Sequence, residues 1–276
     1  MLRANFHTHT TLCDGADSPE AMAAEAFARG FTHLGFSGHM DPDISMDWAA
    51  YLARIAALRE EYRGRMDILC GVELDQDWAG EPVTGAEYII GSTHFLPGAE
   101  GRPVAIDSSF ELLDSLCRER FGGDWYALCA GYFQAEARVA ARTGCQIVGH
   151  FDLVARFNHQ FPRFDEEDPR YLGPALEAMT ALAETGVAFE LNCGAFNRGR
   201  RRDFYPALPL LRRLHSLGAP LFISSDAHSR ALLDGGFPEA LARAEACGWR
   251  TVRILAHGED GAVRQQELPI ADLMGI

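Results

Sequence analysis

Apolar residues along this chain fall into short unbroken runs more often than into strict alternation. Runs at residues 3–6, 33–37, 67–73, 88–91, 146–149, 187–191, 220–224 and 251–255 read as strands. Stretches such as LFIS and VAFEL carry no polar face, which suits a parallel sheet covered on both sides. The segments between them carry helix punctuation. Ser18-Pro19-Glu20 supplies an N-cap, a first-turn proline and an early acid before AMAAEAFAR, and Gly30 ends that helix. Leucines at 211, 214 and 217 mark a helix over 208–217 that stops at Gly218, and a further helix over 172–185 stops at Gly186. Repeated strand–helix units predict a closed barrel or a doubly wound sheet. Two longer connections, 95–123 and 152–171, are rich in Gly, Pro, Asp and Arg and are expected to be loops that cover a site.

Composition narrows what such a fold does. All 25 cationic side chains are arginine, against 39 acids, for a net charge of −14. That balance opposes a polynucleotide footprint and docking on an anionic membrane. With no lysine, Schiff-base chemistry, P-loop chemistry and a carbamylated lysine bridging two metals are all excluded. The seven cysteines are scattered, with no C-x-x-C, so a reducing cytoplasm is expected and a disulfide framework is not. No apolar run reaches the length of a signal or membrane-spanning segment.

The histidines carry the chemical signal. Six of ten sit at the C-terminal ends of the expected strands: His7 and His9, His39, His94, His150 and His228. The third strand ends at Glu73, Asp226 lies two residues before His228, and Asp14 lies just past His9. In barrels and open α/β sheets this is the edge where ligands bind. His7 and His9 point the same way on an extended backbone, ~6.6 Å apart at Cα, close enough for both rings to reach one ion. His33, His159, His215 and His257 lack this context and read as structural or surface groups. A lone strand-end histidine is more often a hydrogen-bonded core residue than a ligand, and H-x-H alone is a weak motif. Six histidines and three acids on one edge are different, because three carboxylates would be buried without compensation unless cations joined them.

Charge counting suggests how many ions. At three to four ligands each, with a shared carboxylate, the nine residues could hold up to about three divalent cations. Their positive charge exceeds that of Asp14, Glu73 and Asp226 by about three, which a hydroxide and a phosphate monoester dianion would balance. A neutral amide would leave such a site strongly positive. Zn, Fe and Mn all suit these ligands. Arg156 in DLVARF and Arg198 in FNRG, just past strand ends, are the candidates for holding phosphate oxygens. Arg200, Arg201 and Arg202 read as a solvated basic turn, and Cys13 and Cys193 as small buried thiols.

The segments HTHTTLCDG, FTHLGFSGH, GVELD, IIGSTHF, FGGDWYAL, GHFDLVARF, FELNCGAFNRG and ISSDAHS, spread over residues 4–256, resemble the PHP (polymerase and histidinol phosphatase) family of phosphoesterases. GHFDLVARF and the ELN-plus-RG stretch resemble its histidinol-phosphate phosphatase branch. The resemblance implies one PHP-type domain over 1–276, its last ~20 residues peripheral. It also implies a distorted (β/α)7 barrel with a three-metal site at the C-terminal strand ends. One ion would take His7, His9 and Asp226 and share Glu73; the second, Glu73, His94 and His150; the third, Asp14, His39 and His228. Asp14, Glu73 and His228 are also expected to take part in the chemistry, hydrolysis of a small phosphate monoester by a hydroxide bridging two ions. The leaving group's proton could come from Asp14, a water or a loop residue. Another small ester or a nucleotide stays open as substrate. An eighth strand at 251–255 does not fit a seven-stranded barrel.

Overall fold

In the computed structural model, which describes residues 1–273, seven parallel strands curl into a nearly closed barrel. They are β1 (Ala4–Asn5), β2 (His33–Phe36), β3 (Asp67–Asp75), β4 (Tyr88–Ser92), β5 (Ile147–Val148), β6 (Ala188–Asn192) and β7 (Leu221–Ser224), each paired with the next. The seam between β7 and β1 is held by one parallel bridge just beyond both strands, Thr8 to Ala227. The Asn5 side chain crosses it as well, donating to Ser225 Oγ at 2.6 Å. After a break at Ser37 and Gly38 the second strand resumes as His39–Met40, in unchanged register against β3, so that His39 lies opposite Glu73.

The helices start and stop where the punctuation requires. Ser18 caps Pro19–Ala28 by accepting from the Ala21 amide, and Asp168 caps Pro169–Glu184, three residues earlier than the apolar pattern indicates. All eight expected strands exist, with ends displaced by two residues or fewer. The eighth, β8 (Thr251–His257), pairs antiparallel with β9 (Val263–Pro269) and stands outside the barrel. His257 ties this hairpin to the barrel, 2.6 Å from Asp67 Oδ1 and 2.9 Å from Glu87 Oε1. Burial alone would lower the His257 pKa, but these two acids outweigh it and raise it.

The connection 95–123 is not the irregular loop its composition suggests. It contains a hairpin, Phe95–Pro97 with Pro103–Ala105, and a helix, Phe110–Phe121. In 152–171, a short 3-10 turn at Leu153–Ala155 precedes the Pro169 helix start. The two connections meet through stacked rings, Phe110 on Phe161 at 4.3 Å between centroids.

Below the strand ends the barrel is plugged by aromatic side chains. Phe6 packs edge-on against both Tyr88 and Phe222, and the Tyr88 hydroxyl donates to the Phe6 carbonyl at 2.7 Å. This ring needs glycine at two positions. A Cβ on Gly35 or Gly71 would lie 2.2 Å from the Tyr88 side chain. Gly71→Ala should therefore cost about 1–3 kcal/mol by overpacking. Thermal unfolding should show it as a Tm lower by several degrees, and an unchanged Tm would mean the plug yields freely. Among the described residues, no helix is long and apolar enough to cross a membrane.

Candidate metal centre

All nine residues picked out by strand-end position meet at the C-terminal mouth of the barrel. The residue Thr8, between the two first histidines, donates its hydroxyl to the Gly35 carbonyl at 2.7 Å and bridges to Ala227. Its neighbours His7 and His9 are thereby held on the same side, their ring centroids 5.1 Å apart and both side chains fully buried.

Glu73, at the end of β3, is the hub. Its Oε1 lies 2.8 Å from His150 Nε2 and 3.3 Å from His94 Nε2, and accepts from the Ser92 hydroxyl at 2.7 Å. Its Oε2 lies 3.1 Å from His7 Nε2, 3.2 Å from His39 Nδ1 and 3.4 Å from His9 Nε2. One carboxylate thus divides its two oxygens between two sets of imidazoles. Asp226 Oδ1 stands 3.4 Å from His9 Nε2 and 3.3 Å from His228 Nδ1. Asp14 Oδ2 lies 3.0 Å from His228 Nε2 and 3.8 Å from His39 Nε2. Their donor atoms fall into four compact groups: His7, His9 and Asp226; His7, Glu73 and His150; His39, Glu73 and His94; and His9, Asp14, His39 and His228.

This geometry fits divalent cations better than a self-satisfied hydrogen-bonded core. Two ligands ~2.1 Å from a tetrahedral ion stand ~3.4 Å apart, close to the separations around Glu73 and His9. His9 Nε2 is buried without a hydrogen-bond partner, equidistant from Glu73 and Asp226. His94 and His150 turn their Nε2 atoms toward each other at 3.2 Å, both facing the same carboxylate oxygen. Neutral imidazoles and carboxylates are donors for Zn, Fe or Mn.

For His7, His9, Asp14, His39, Glu73, His94 and Asp226, burial opposes the charged form, and the charges around each decide whether it keeps a proton. Burial would lower His7, but Glu190, Glu73 and Asp226 raise it to about 10. His9 and His94 are raised for the same reason, by Asp14 and Asp226 and by Glu73 and Asp75. His39 goes the other way: burial, with His9 and His94 beside it, holds it at about 3 despite Glu73. Burial would raise Glu73 and Asp226, yet the imidazoles around Glu73, and Arg198 with the imidazoles around Asp226, hold both well below the usual carboxylate range. Protons and metal ions therefore compete for the same nitrogens.

Supporting groups escaped the strand-end criterion. Glu190, on β6, receives His7 Nδ1 at 2.9 Å, and Asp75 sits 3.3 Å from His94 Nδ1. Such contacts orient a ligand ring and fix its tautomer. The clue was available in GVELD, because Asp75 is two residues beyond Glu73 and shares its face of the strand. Asp226 adopts φ of 49°, the one left-handed non-glycine conformation among the described residues, and a Cβ on Gly194 would come within 2.6 Å of its carboxylate. The turn that aims Asp226 inward thus requires a bare glycine opposite it.

The cluster opens into a cavity of ≈ 330 Å³ whose wall includes Arg156, Arg198 and Arg200. Arg198 is braced on Asp226 at 3.2 Å, and Arg156 faces Asp107 at 3.4 Å. The basic turn expected at 200–202 is not uniformly solvated. Arg200 lines the cavity, while Arg201 is buried and paired with Glu166 at 2.9 Å, because the chain folds back over the site there. Cys193 is buried, as expected for a core thiol. Cys13 is partly exposed, its Sγ 3.8 Å from His9 Nδ1.

A parallel barrel with a histidine–carboxylate cluster at its C-terminal mouth defines a metal-binding hydrolase of the PHP class. The family model of the PHP domain matches residues 5–194, and the chain belongs to that family. It is 33% identical over 267 residues to the "Probable histidinol-phosphatase" of Deinococcus radiodurans, covering 89% of this chain and 94% of the relative. The histidinol-phosphatase of Bacillus subtilis is 27% identical over 260 residues, covering 83% and 94%. The barrel also superimposes on the crystal structure of histidinol phosphate phosphatase from Lactococcus lactis, complexed with zinc, L-histidinol and phosphate. That match has a TM-score of 0.66 at 19% identity, over 92% of this chain and 97% of that one.

Proposed function

We propose that this protein is a metal-dependent histidinol-phosphate phosphatase, converting L-histidinol phosphate and water to L-histidinol and phosphate. The observation that carries this reading is the Glu73-centred cluster opening into a cavity walled by arginines. The two histidinol-phosphatase relatives, matched over more than four-fifths of the chain, support the substrate.

The cluster suits three cations. His7, His9 and Asp226 would hold one, His94 and His150 a second, with Glu73 shared between these two, and Asp14, His39 and His228 a third. Zinc fits this donor set, as do iron and manganese. Cations bound there would bring the pKa of a water to near ~7 and offset the charge of the phosphoryl group. The chain's own residues do the rest. Glu190 and Asp75 hold the His7 and His94 rings in the orientation that aims Nε2 at Glu73. Arg156 and Arg198 present guanidinium forks to the phosphate oxygens; each has a buried Nε without a partner. The hydrolysis breaks the P–O bond to the alcohol, whose oxygen must gain a proton as it leaves. Asp14 and His228, the most exposed members of the cluster, meet at 3.0 Å at its outer rim, the side open to a water that would give that oxygen its proton. The substrate is a small diffusible ester, and seven unpaired cysteines suit a reducing cytoplasm.

The test is phosphate release by the metal-reconstituted protein from L-histidinol phosphate, set against a panel of sugar phosphates and nucleoside monophosphates. L-Histidinol phosphate should give the highest kcat/KM. A higher value for any other panel member would reassign the substrate within the phosphoesterases.

A further inference from the structure

The end of the barrel opposite the metal cluster is closed by a strap. β3 and β7 lie far apart on the ring of seven strands, with β1 and β2 between them on one side and β4, β5 and β6 on the other. β8 runs from one to the other beneath the N-terminal strand ends. Its near end is fixed under β7, where the Trp249 indole N–H donates to the Ala219 carbonyl at 3.4 Å and packs edge-on against His215. Its far end is fixed under β3, where the His257 amide donates to Asp67 Oδ2 at 2.9 Å. Between these points Val252, Ile254, Leu255 and Ala256 are buried.

The two ends are held by different forces. Packing holds the near one, and charge holds the far one. His257 Nδ1 lies 2.6 Å from Asp67 Oδ1, and its Nε2 lies 2.9 Å from Glu87 Oε1. A carboxylate only accepts hydrogen bonds, so a ring placed between two of them satisfies both only when both its nitrogens carry hydrogen. A neutral ring turns a lone pair onto one carboxylate at under 3 Å. The neighbours leave the ring little choice. From the helix Trp48–Tyr62, Arg59 pairs with the other oxygen of Glu87, which also accepts from the Cys70 amide at 2.7 Å. From β2, His33 is kept from a proton by its own burial and by the charge of His257. On the hairpin itself the residue opposite is Val263, which carries no charge. A cavity of ≈ 430 Å³ lined by Thr32, Arg59, Asp67 and His257 among others adjoins the contact, so water reaches it and a freed end has room to move.

We propose that His257 is a pH-sensitive latch: its imidazolium pins the far end of the strap to Asp67 and Glu87, and loss of one proton releases that end while the near end stays packed. The sign follows from the two acids, which raise the imidazole above its ordinary value against the effect of burial. The latch is therefore complete below the unfolded value of ~6.5 and is lost as pH rises through the raised folded one. The latch is independent of the metal cluster and of the substrate.

The test follows backbone amide exchange in the zinc-loaded protein, wild type beside His257→Gln, from about pH 6 to about pH 9. Glutamine keeps a neutral donor in place and so imitates the unprotonated ring. The imidazole resonance that vanishes in His257→Gln identifies the ring and should titrate above ~6.5. Below that titration, amides of residues 254–257 should exchange about tenfold more slowly in wild type than in the variant, between the exposed and buried limits for charge-assisted pairs. Through the titration the ratio should fall toward one, while amides of β4 keep a ratio near one throughout. Comparing the two proteins at each pH removes the titration of the cluster histidines, which both share. A ratio that stays constant through the titration would mean that the ring holds the strap by shape alone, and it overturns the latch. A ring that titrates at or below ~6.5 overturns it too, as does a ratio of one at every pH. Should His257→Gln fail to fold, wild type decides by itself: exchange in 254–257, corrected for its intrinsic pH dependence, must quicken relative to β4 as the ring loses its proton, and unchanged relative protection overturns the latch.

Discussion

Glu73→Gln should abolish phosphate release while leaving the barrel folded. The substitution keeps the size of the side chain and one oxygen for the Ser92 hydroxyl, so packing changes little. It removes a negative charge that faces both halves of the cluster, since Oε1 serves His94 and His150 while Oε2 serves His7, His9 and His39. An amide cannot join two cations as a carboxylate does, and one end of it is a donor directed at imidazoles. A kcat lower by about 10³-fold or more is expected, at or beyond what loss of one preorganised electrostatic contact costs. Bound metal per chain should fall in the same sample, with the far-ultraviolet circular dichroism unchanged. Near-wild-type turnover in Glu73→Gln, or in His9→Ala, would remove the cluster from the chemistry altogether.

Stripping divalent ions with a chelator should have the second largest effect. Activity should vanish and return on adding back zinc, iron or manganese, the three to be compared directly. The folded state should also lose stability, since ligands that bind only the native chain contribute about 2.7 kcal/mol at a hundredfold excess over Kd. For a chain of this size that corresponds to a Tm lower by roughly 5–10 °C. Loading should release protons into a weakly buffered solution, because His7, His9 and His94 are raised by the carboxylates that would share the metals with them. Full activity in a sample shown to be metal-free would contradict the functional reading at its root.

The aromatic stack joining the two covering connections has a consequence for function. These connections bring Asp107 and Arg156 together across the mouth, while the barrel brings the cluster together beneath it. The strand ends thus supply the floor of the cavity and the connections part of its wall.

How much of this was legible beforehand follows from the range over which each feature is encoded. The seven barrel strands and the nine strand-end residues were readable from the order of residues alone. A parallel strand buried on both faces leaves an unbroken apolar run, and a ligand at the end of that run is marked by its place in the chain. The strand at 251–255 was equally visible, but its place outside the barrel followed from the family resemblance and not from its residue pattern, because pairing partners are chosen in space. Glycine at 35 and 71 looked like weak strand residues until the Tyr88 ring was seen to occupy the room of their side chains. Arg200 and Arg201 looked alike as neighbours in a basic turn, yet one lines the cavity and the other is buried against Glu166. Sequence by itself determined the order of the barrel strands and the identity of the metal-competent residues, because both are written in local pattern, whereas the hairpin and helix within 95–123 were hidden by a loop-like composition. Only the tertiary structure decided that Glu73 is the hub, that Glu190 and Asp75 stand behind the histidines, and that Asp107 meets Arg156. Those are contacts between residues tens of positions apart, and closing the chain upon itself is the one event that brings them within reach of each other.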